Sequence, residues 1–226
     1  MSEISVIVPV YNGSKTIRDC LESILSQTFR NFEIIVVNDG STDNTAEILS
    51  AYSDKIKIIN QENRGAAATR NKGAEDCFAP FIIFCDADIV TTPKMFEKMY
   101  EALKKNPEAA FAYSSFKFGF KTFKLWPFDL EKLKKTPYIH TTSLIRREFF
   151  PGFDESLKRF QDWDLFLTIS EQGHSGQFIP EVLFTVKSGG TISSWLPKSF
   201  YKLFNFSKKV KKYKEAEKII KQKHNL

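Results

Sequence analysis

Apolar and polar positions along this chain switch between two periods. Short β-branched runs of strand length are each followed by segments whose apolar residues recur every three or four positions. The first run is Ile4–Val10, ended by Pro9 and the turn Tyr11-Asn12-Gly13. Ser14 then precedes Ile17, Cys20, Leu21, Ile24 and Leu25, the spacing of a capped amphipathic helix. Residues 32–38 predict a second strand, stopping at Asp39-Gly40-Ser41-Thr42-Asp43, and Ala46, Ile48, Leu49 and Tyr52 a shorter helix. Residues 56–59 predict a third strand, and the small residues of 65–74 a helix. Residues 81–85 predict a fourth strand. Thr92-Pro93 opens a helix through Met95, Phe96, Met99 and Leu103, and residues 109–115 predict a fifth strand.

Strands that alternate with helices and read as continuous apolar runs imply a mostly parallel sheet covered on both faces, an α/β class. Ligands of such sheets collect outside the carboxyl ends of the strands. Three of the first four strands end there in polar clusters, Tyr11-Asn12, Asp39 and Asp86/Asp88, which would line one crevice. In Asp86-Ala87-Asp88 the i, i+2 spacing lets both carboxylates leave the strand end on the same side. Such a pair suits a hard divalent cation that keeps open positions for phosphates. On spacing alone it serves a strand-end turn equally well.

After Ser115 the pattern changes. Residues 116–126 alternate aromatic and basic side chains, which predicts an antiparallel strand, and Pro127 and Pro137 bracket a charged segment. Residues 141–145 predict another strand, and Gly152-Phe153-Asp154-Glu155 a turn. Trp163, Phe166, Leu167 and Ile169 mark a helix beginning at Gln161-Asp162, and residues 178–187 supply one or two short strands before Gly189-Gly190. The expected division is a domain over 1–190, with halves 1–115 and 116–190, and a terminal segment over 191–226.

Charge separates that segment from the rest. From Pro197 onward ten lysines face Glu215 and Glu217, a net of +8 against +6 for the whole chain, so the remainder is near −2. Leu196, Phe200, Leu203, Phe206, Val210 and Tyr213 recur at helical spacing, with Trp195 and Phe204 beside them. A helix of this kind can lie in an anionic membrane interface, or it can pack its stripe on the domain with its lysines in water. Nothing suggests base readout, so nucleic acid is not an expected partner. Cys20, Cys77 and Cys85 have no pairing spacing and read as small core residues of a reducing compartment. No basic leader precedes Ile4 and no window reaches the length of an apolar span. The expected place is the cytoplasm, peripheral to the inner face of a membrane.

Together these segments resemble the family 2 glycosyltransferases of the GT-A (Rossmann-like) fold. The segments are Ser5-Val6-Ile7-Val8-Pro9-Val10-Tyr11-Asn12, Ile34-Ile35-Val36-Val37-Asn38-Asp39-Gly40-Ser41-Thr42-Asp43, and Asn63-Arg64-Gly65 with Thr69-Arg70-Asn71-Lys72-Gly73. Asp86-Ala87-Asp88, then Gly152-Phe153-Asp154-Glu155 with Gln161-Asp162-Trp163-Asp164-Leu165, follow in the family's order. The resemblance implies inverting transfer of a sugar from a nucleotide diphosphate sugar, usually of uridine, to the hydroxyl of a glycan or lipid-linked acceptor in cell-surface polysaccharide or glycolipid synthesis. It implies a nucleotide site of Pro9, Val10, Tyr11, Asn12, Asp39, Arg64, Gly65, Arg70, Asp86 and Ala87, with Asp39 accepting from the base. It implies Mg²⁺ or Mn²⁺ at Asp86 and Asp88, and Asp162 as general base. A diphosphate leaving group gains from a cation that neutralises its charge, and a hydroxyl nucleophile from a carboxylate that takes its proton.

Two positions depart from the family's pattern. Gln161 stands where an acidic residue often precedes the base. The segment Phe184-Thr185-Val186-Lys187-Ser188 lacks the histidine many relatives carry, so the third metal ligand is open. His140 and His174 read as surface or loop residues. Read from the residues alone, Asp39 serves equally to begin a turn, Asp162 to cap a helix, and Asp154 and Asp164 to rival it as base. A non-catalytic sugar-nucleotide binder and a sugar nucleotidyltransferase are the alternative functions. The second wants a basic triphosphate loop that Val10-Tyr11-Asn12-Gly13-Ser14 does not provide.

Overall fold

The computed structural model describes residues 2–187 and 208–226. Strands β1 (Ile4–Val10), β2 (Phe32–Asp39), β3 (Lys57–Gln61) and β4 (Phe81–Phe84) alternate with helices α1 (Ile17–Leu25), α2 (Thr45–Ser50) and α3 (Ala66–Glu75). β5 (Ile89–Thr91), α4 (Met95–Lys105), β6 (Ala109–Phe118), β7 (Lys121–Phe123), α5 (Leu130–Lys135) and β8 (Leu144–Arg146) follow. A 3₁₀ turn, helix α6 (Gln161–Glu171), strand β9 (Ser175–Val186) and a terminal helix α7 (Lys208–Lys223) complete the described chain. One sheet runs in the order β3-β2-β1-β4-β8-β6-β9-β5, with β7 beside β6. β3, β2, β1 and β4 are mutually parallel, while β8 enters antiparallel to both β4 and β6.

Alternation along the buried strands distributes two cores. Ile4, Val6, Val8 and Val10 pack with Ile17, Leu21, Phe96 and Met99 on one face of the sheet. Ile7, Ile35, Val37, Ile82 and Phe84 pack on the other with residues of α3 and α6. The small residues of α3 have a steric cause. A Cβ on Gly73 would lie 2.4 Å from Ile7 Cγ2, so the helix rests almost on the sheet. That close approach brings Arg70, one turn earlier, down to the strand ends.

The structure departs from the expectations in three places. Residues 116–126 are not one strand, because Gly119 turns the chain with φ +54° and β6 returns as the three-residue β7. The segment expected as one or two short strands is a twelve-residue β9 beginning at Ser175. Register shifts opposite Ala109–Phe116 let it follow β6 along most of its length, and irregular pairing of this kind leaves no clean period in the sequence. β5 was not expected; its β-branched Ile89-Val90-Thr91 pairs with the end of β9. The three cysteines are free and buried, as expected of core residues.

Of the terminal segment, 208–226 is described, and it packs on the domain. Val210, Ile220 and His224 are buried, and Tyr213 sets its ring edge-on to Phe160 at 4.9 Å. Lys211, Lys212, Lys214 and Lys218 remain exposed, as a solvent-facing basic side requires. The stripe residues Trp195, Leu196, Phe200, Leu203, Phe204 and Phe206 lie outside the described residues.

Candidate functional site

The carboxyl ends of β1, β2 and β4 open into a cavity of about 430 Å³. Pro9, Val10, Tyr11 and Asn12 wall it from β1, Asp39 from β2, and Asp86, Ala87 and Asp88 from the turn after β4. Gly65 and Arg70 enter from α3, Gln161 from α6, and His140 from the loop before β8. Most residues named for nucleotide and metal therefore meet in one place.

Asp39 is almost fully buried, yet it is not a simple turn residue. Its Oδ1 accepts from Gln61 Nε2 at 2.7 Å and the Arg64 amide at 2.9 Å, and its Oδ2 from the Gly65 amide at 2.9 Å. A carboxylate has about four acceptor positions, so one on Oδ2 is left without a donor among the described residues. Gly65 takes φ +87° at the start of α3, a conformation that favours glycine, and this aims its amide at Asp39. Arg64 contributes that amide only. Its guanidinium is exposed and paired with Glu155, away from the cavity wall. At the mouth Tyr11 is partly exposed, and Asn12 ties the two strand ends together by accepting from the Thr42 amide at 2.8 Å.

Arg70 joins the halves. One guanidinium nitrogen donates to Asp86 Oδ1 at 2.7 Å and the other to Gln161 Oε1 at 2.8 Å, while the group lies over the Phe153 ring. Its buried Nε has no partner among the described residues, a donor left over at the cavity wall. Asp86 and Asp88 differ in their support. Asp86 holds the arginine, whereas Asp88 accepts only from its own backbone amide among the described residues. Burial, followed by the nearby Asp86 charge, pushes the Asp88 carboxyl up to about 6. Two nearby carboxylates with one arginine, bonded to Asp86, leave net negative charge that a divalent cation would neutralise. No cluster of three or more His, Cys, Asp or Glu stands ready for a metal among the described residues. The backbone amide of Lys187 donates to the Asp88 carbonyl at 2.8 Å, so β9 ends at the cavity lip. The residues at this lip, Phe184-Thr185-Val186-Lys187, include no histidine, and the chain from Ser188 to Ser207 lies outside the described residues.

Asp162 does not occupy the capping position expected of it. Phe160, at φ +60°, precedes the helix, and Asp162 is the second residue of α6. It accepts from the Trp163 amide at 2.8 Å. Burial pushes its carboxyl up, partly offset by the Trp163 amide and Arg70. A carboxyl with a raised pKa is better matched to taking a proton near neutral pH. Its two rivals are occupied elsewhere. Asp154 accepts from Lys223 Nζ at 2.7 Å and from Ser156, and buried Asp164 bonds His224 Nε2 at 2.9 Å and Lys223 at 2.8 Å. His174 lies against Phe149 and is not among the residues that line the cavity.

Sequence reasoning named neither Gln161 nor His140 as part of the site. Gln161 had a usable signal, since it adjoins the candidate base; as a neutral acceptor it shares Arg70 with Asp86. His140 had none, because it sits in an irregular loop whose path depends on β8 inserting beside β4.

The sequence pattern of glycosyl transferase family 2 matches residues 5–164. The putative glycosyltransferase EpsE of Bacillus subtilis is 31% identical over 202 residues, 82% of this chain and 73% of that protein. The uncharacterized glycosyltransferase YibD of Escherichia coli is 40% identical over 101 residues, 43% of this chain and 29% of that protein. GlyG of Streptococcus pneumoniae is 41% identical over 110 residues, and the match spans 36% of it. The chain thus spans about a third of YibD and GlyG. Among solved structures, S. aureus TarS in complex with UDP-GlcNAc superposes with TM-score 0.73 at 21% identity, covering 89% of this chain and 64% of that one. The mannosyltransferase PcManGT of Pyrobaculum calidifontis, in complex with GDP-Man and Mn²⁺, gives 0.64 at 19% identity, covering 88% and 59%. These structural likenesses show the GT-A architecture, and the sequence match shows the lineage: the chain belongs to glycosyl transferase family 2.

Proposed function

We propose that the chain moves a sugar from a nucleoside diphosphate sugar, most simply a UDP-sugar, to an acceptor hydroxyl with inversion. The observation that carries this reading is the meeting of Asp39, Asp86 and Asp88 with Arg70 and the α6 amino end around one cavity. The open Oδ2 position of Asp39 would accept from an N–H of the base, with Pro9, Val10 and Tyr11 flanking it. Arg70, already desolvated, would donate to the diphosphate, where charge grows as the sugar leaves. Asp162 would hold the acceptor hydroxyl and take its proton in the displacement step. A single displacement needs no second catalytic carboxylate, which agrees with Asp154 and Asp164 being committed to α7.

The donor set of Asp86 and Asp88 fits a hard cation that completes its shell with phosphate oxygens and water. Bound there, Mg²⁺ or Mn²⁺ would supply Lewis-acid neutralisation of the leaving diphosphate. TarS in complex with UDP-GlcNAc and PcManGT with GDP-Man and Mn²⁺ support this class of donor and cation. The acceptor is a glycan or a lipid-linked sugar. The lysine-rich side of α7 supports peripheral contact with an anionic membrane face. No described helix is long and apolar enough to cross a membrane.

A panel of UDP- and GDP-sugars assayed for nucleotide release with and without manganese tests the reading. Release from at least one donor, lost on chelation, is expected. A protein that binds nucleotide sugars yet releases nucleotide from none, with or without acceptor extract, would be a binder instead.

A further inference from the structure

His140 reached the cavity without a sequence signal, and its surroundings define which nitrogen it offers. The Thr142 amide, a donor only, points at His140 Nδ1 from 3.0 Å. Nδ1 must therefore be unprotonated, and the neutral ring carries its hydrogen on Nε2. An imidazolium would set two N–H groups against each other, and burial further favours the neutral form. The ring cannot turn freely. Phe116 and Phe184 lie against it with centroids at 5.3 and 5.1 Å, and Ser143 Oγ ties down the His140 carbonyl at 2.7 Å. Nε2 makes no hydrogen bond to any described residue, although the ring lines the cavity and senses the charges of Asp86 and Asp162.

This geometry removes two roles. Coordinating a metal through Nε2 would require the proton on Nδ1, where the Thr142 amide already sits. Neutralising phosphate would require the imidazolium. What remains is a fixed neutral N–H in the wall of the cavity that Asp86, Asp88 and Gln161 also line. Donating it to the attacking hydroxyl would lower the basicity of the nucleophile that Asp162 activates. A sugar hydroxyl oxygen, which carries no charge to neutralise, would gain from a neutral donor. We propose that His140 is a donor-specificity residue whose Nε2–H hydrogen-bonds a hydroxyl oxygen of the transferred sugar. This rests on the transferase reading above. A site built to bond a hydroxyl discriminates strongly against sugars lacking it, because its buried donor is then left unpaired.

The two nitrogens can be tested separately. Gln places an amide N–H near the Nε2 position, and Asn places an acceptor near Nδ1 for the Thr142 amide. The probes are UDP-GlcNAc, UDP-Glc, UDP-Gal and GDP-Man, with manganese, together with calorimetric binding of UDP and GDP alone. With the sugar that wild type uses, His140→Leu should lower kcat/KM roughly 30- to 300-fold. His140→Gln should recover most of it, while His140→Asn should recover the thermal midpoint but not the turnover. Affinity for the free nucleotide and the half-saturating manganese concentration should stay within about twofold of wild type in all three, since the contact is to the sugar. Recovery by Asn and not by Gln would overturn the proposal, leaving a purely structural histidine. A weakened affinity for free nucleotide or manganese would also overturn it, placing His140 at the phosphate or metal. A wild type that releases nucleotide from none of the four contradicts the transferase reading itself, and this proposal with it.

Discussion

Asp39, in the cavity wall, and Asp162, next in the chain after Gln161 of that wall, are held in opposite ways. Asp39, on the parallel side, takes three hydrogen bonds from Gln61, Arg64 and Gly65 that freeze its carboxylate against α3. Asp162, on the antiparallel side, accepts among the described residues only from peptide amides of its own turn. The first arrangement suits recognition, where a fixed acceptor reads one feature of a ligand. The second suits proton transfer, where the carboxylate must be free to take a hydrogen. Rigidity on the second side comes from outside the site. His224 and Lys223 of α7 grip Asp164, one peptide beyond Trp163, and Glu171 receives the other nitrogen of His224 at 2.8 Å.

The largest expected effect breaks the proposed catalytic side alone. Asp162→Asn should lower transfer about a thousandfold, within the usual contribution of a positioned general base, and leave nucleotide affinity within about twofold. Equal loss of both in a direct comparison of turnover and binding would mean that the two sides are not separable. His224→Ala leaves buried Asp164 with Lys223 alone and should cost about 2 kcal/mol, or about 4–8 °C in Tm. Calorimetry on the variant should find nucleotide affinity unchanged, because α7 supports only the second side. An unshifted Tm would mean that the α7 contact does not form in solution.

The smallest effect concerns charge on the parallel side. Burial raises the folded-state Asp88 carboxyl to about 6, so its ionised form is disfavoured on folding. The cost is absent below pH 4 and fully present above pH 6. Without metal, Asp88→Asn should therefore be more stable than wild type at pH 7 by about 1 kcal/mol, allowing for solvent screening, and equal to it near pH 4. Denaturant unfolding at the two pH values checks this; the opposite pH trend would place Asp88 beside a cation instead.

The same contrast explains what could be read from the sequence. On the parallel side each strand is one unbroken apolar run and each site residue follows it directly, so Tyr11, Asp39, Asp86 and Asp88 were placed by local pattern. Arg70 needed the resemblance, because its role depends on how closely Gly73 lets α3 approach Ile7. Past Ser115 the register shifts of β6 and β9 erase the period, and β8 slots beside β4 from far along the chain. His140 is delivered by that insertion, so no local signal could find it. Asp164 and Asp162 are separable only in three dimensions, through a helix 60 residues further on.

The central claim is that the strand ends β1, β2 and β4 form a metal-assisted nucleoside diphosphate site. Its most direct test is calorimetric titration of UDP and of GDP into wild-type protein and Asp39→Ala, with manganese and after chelation. One of the two nucleotides should bind wild type, and its affinity should fall at least about tenfold both on chelation and in Asp39→Ala. Binding indifferent to both changes, or no binding of either nucleotide, would contradict the account.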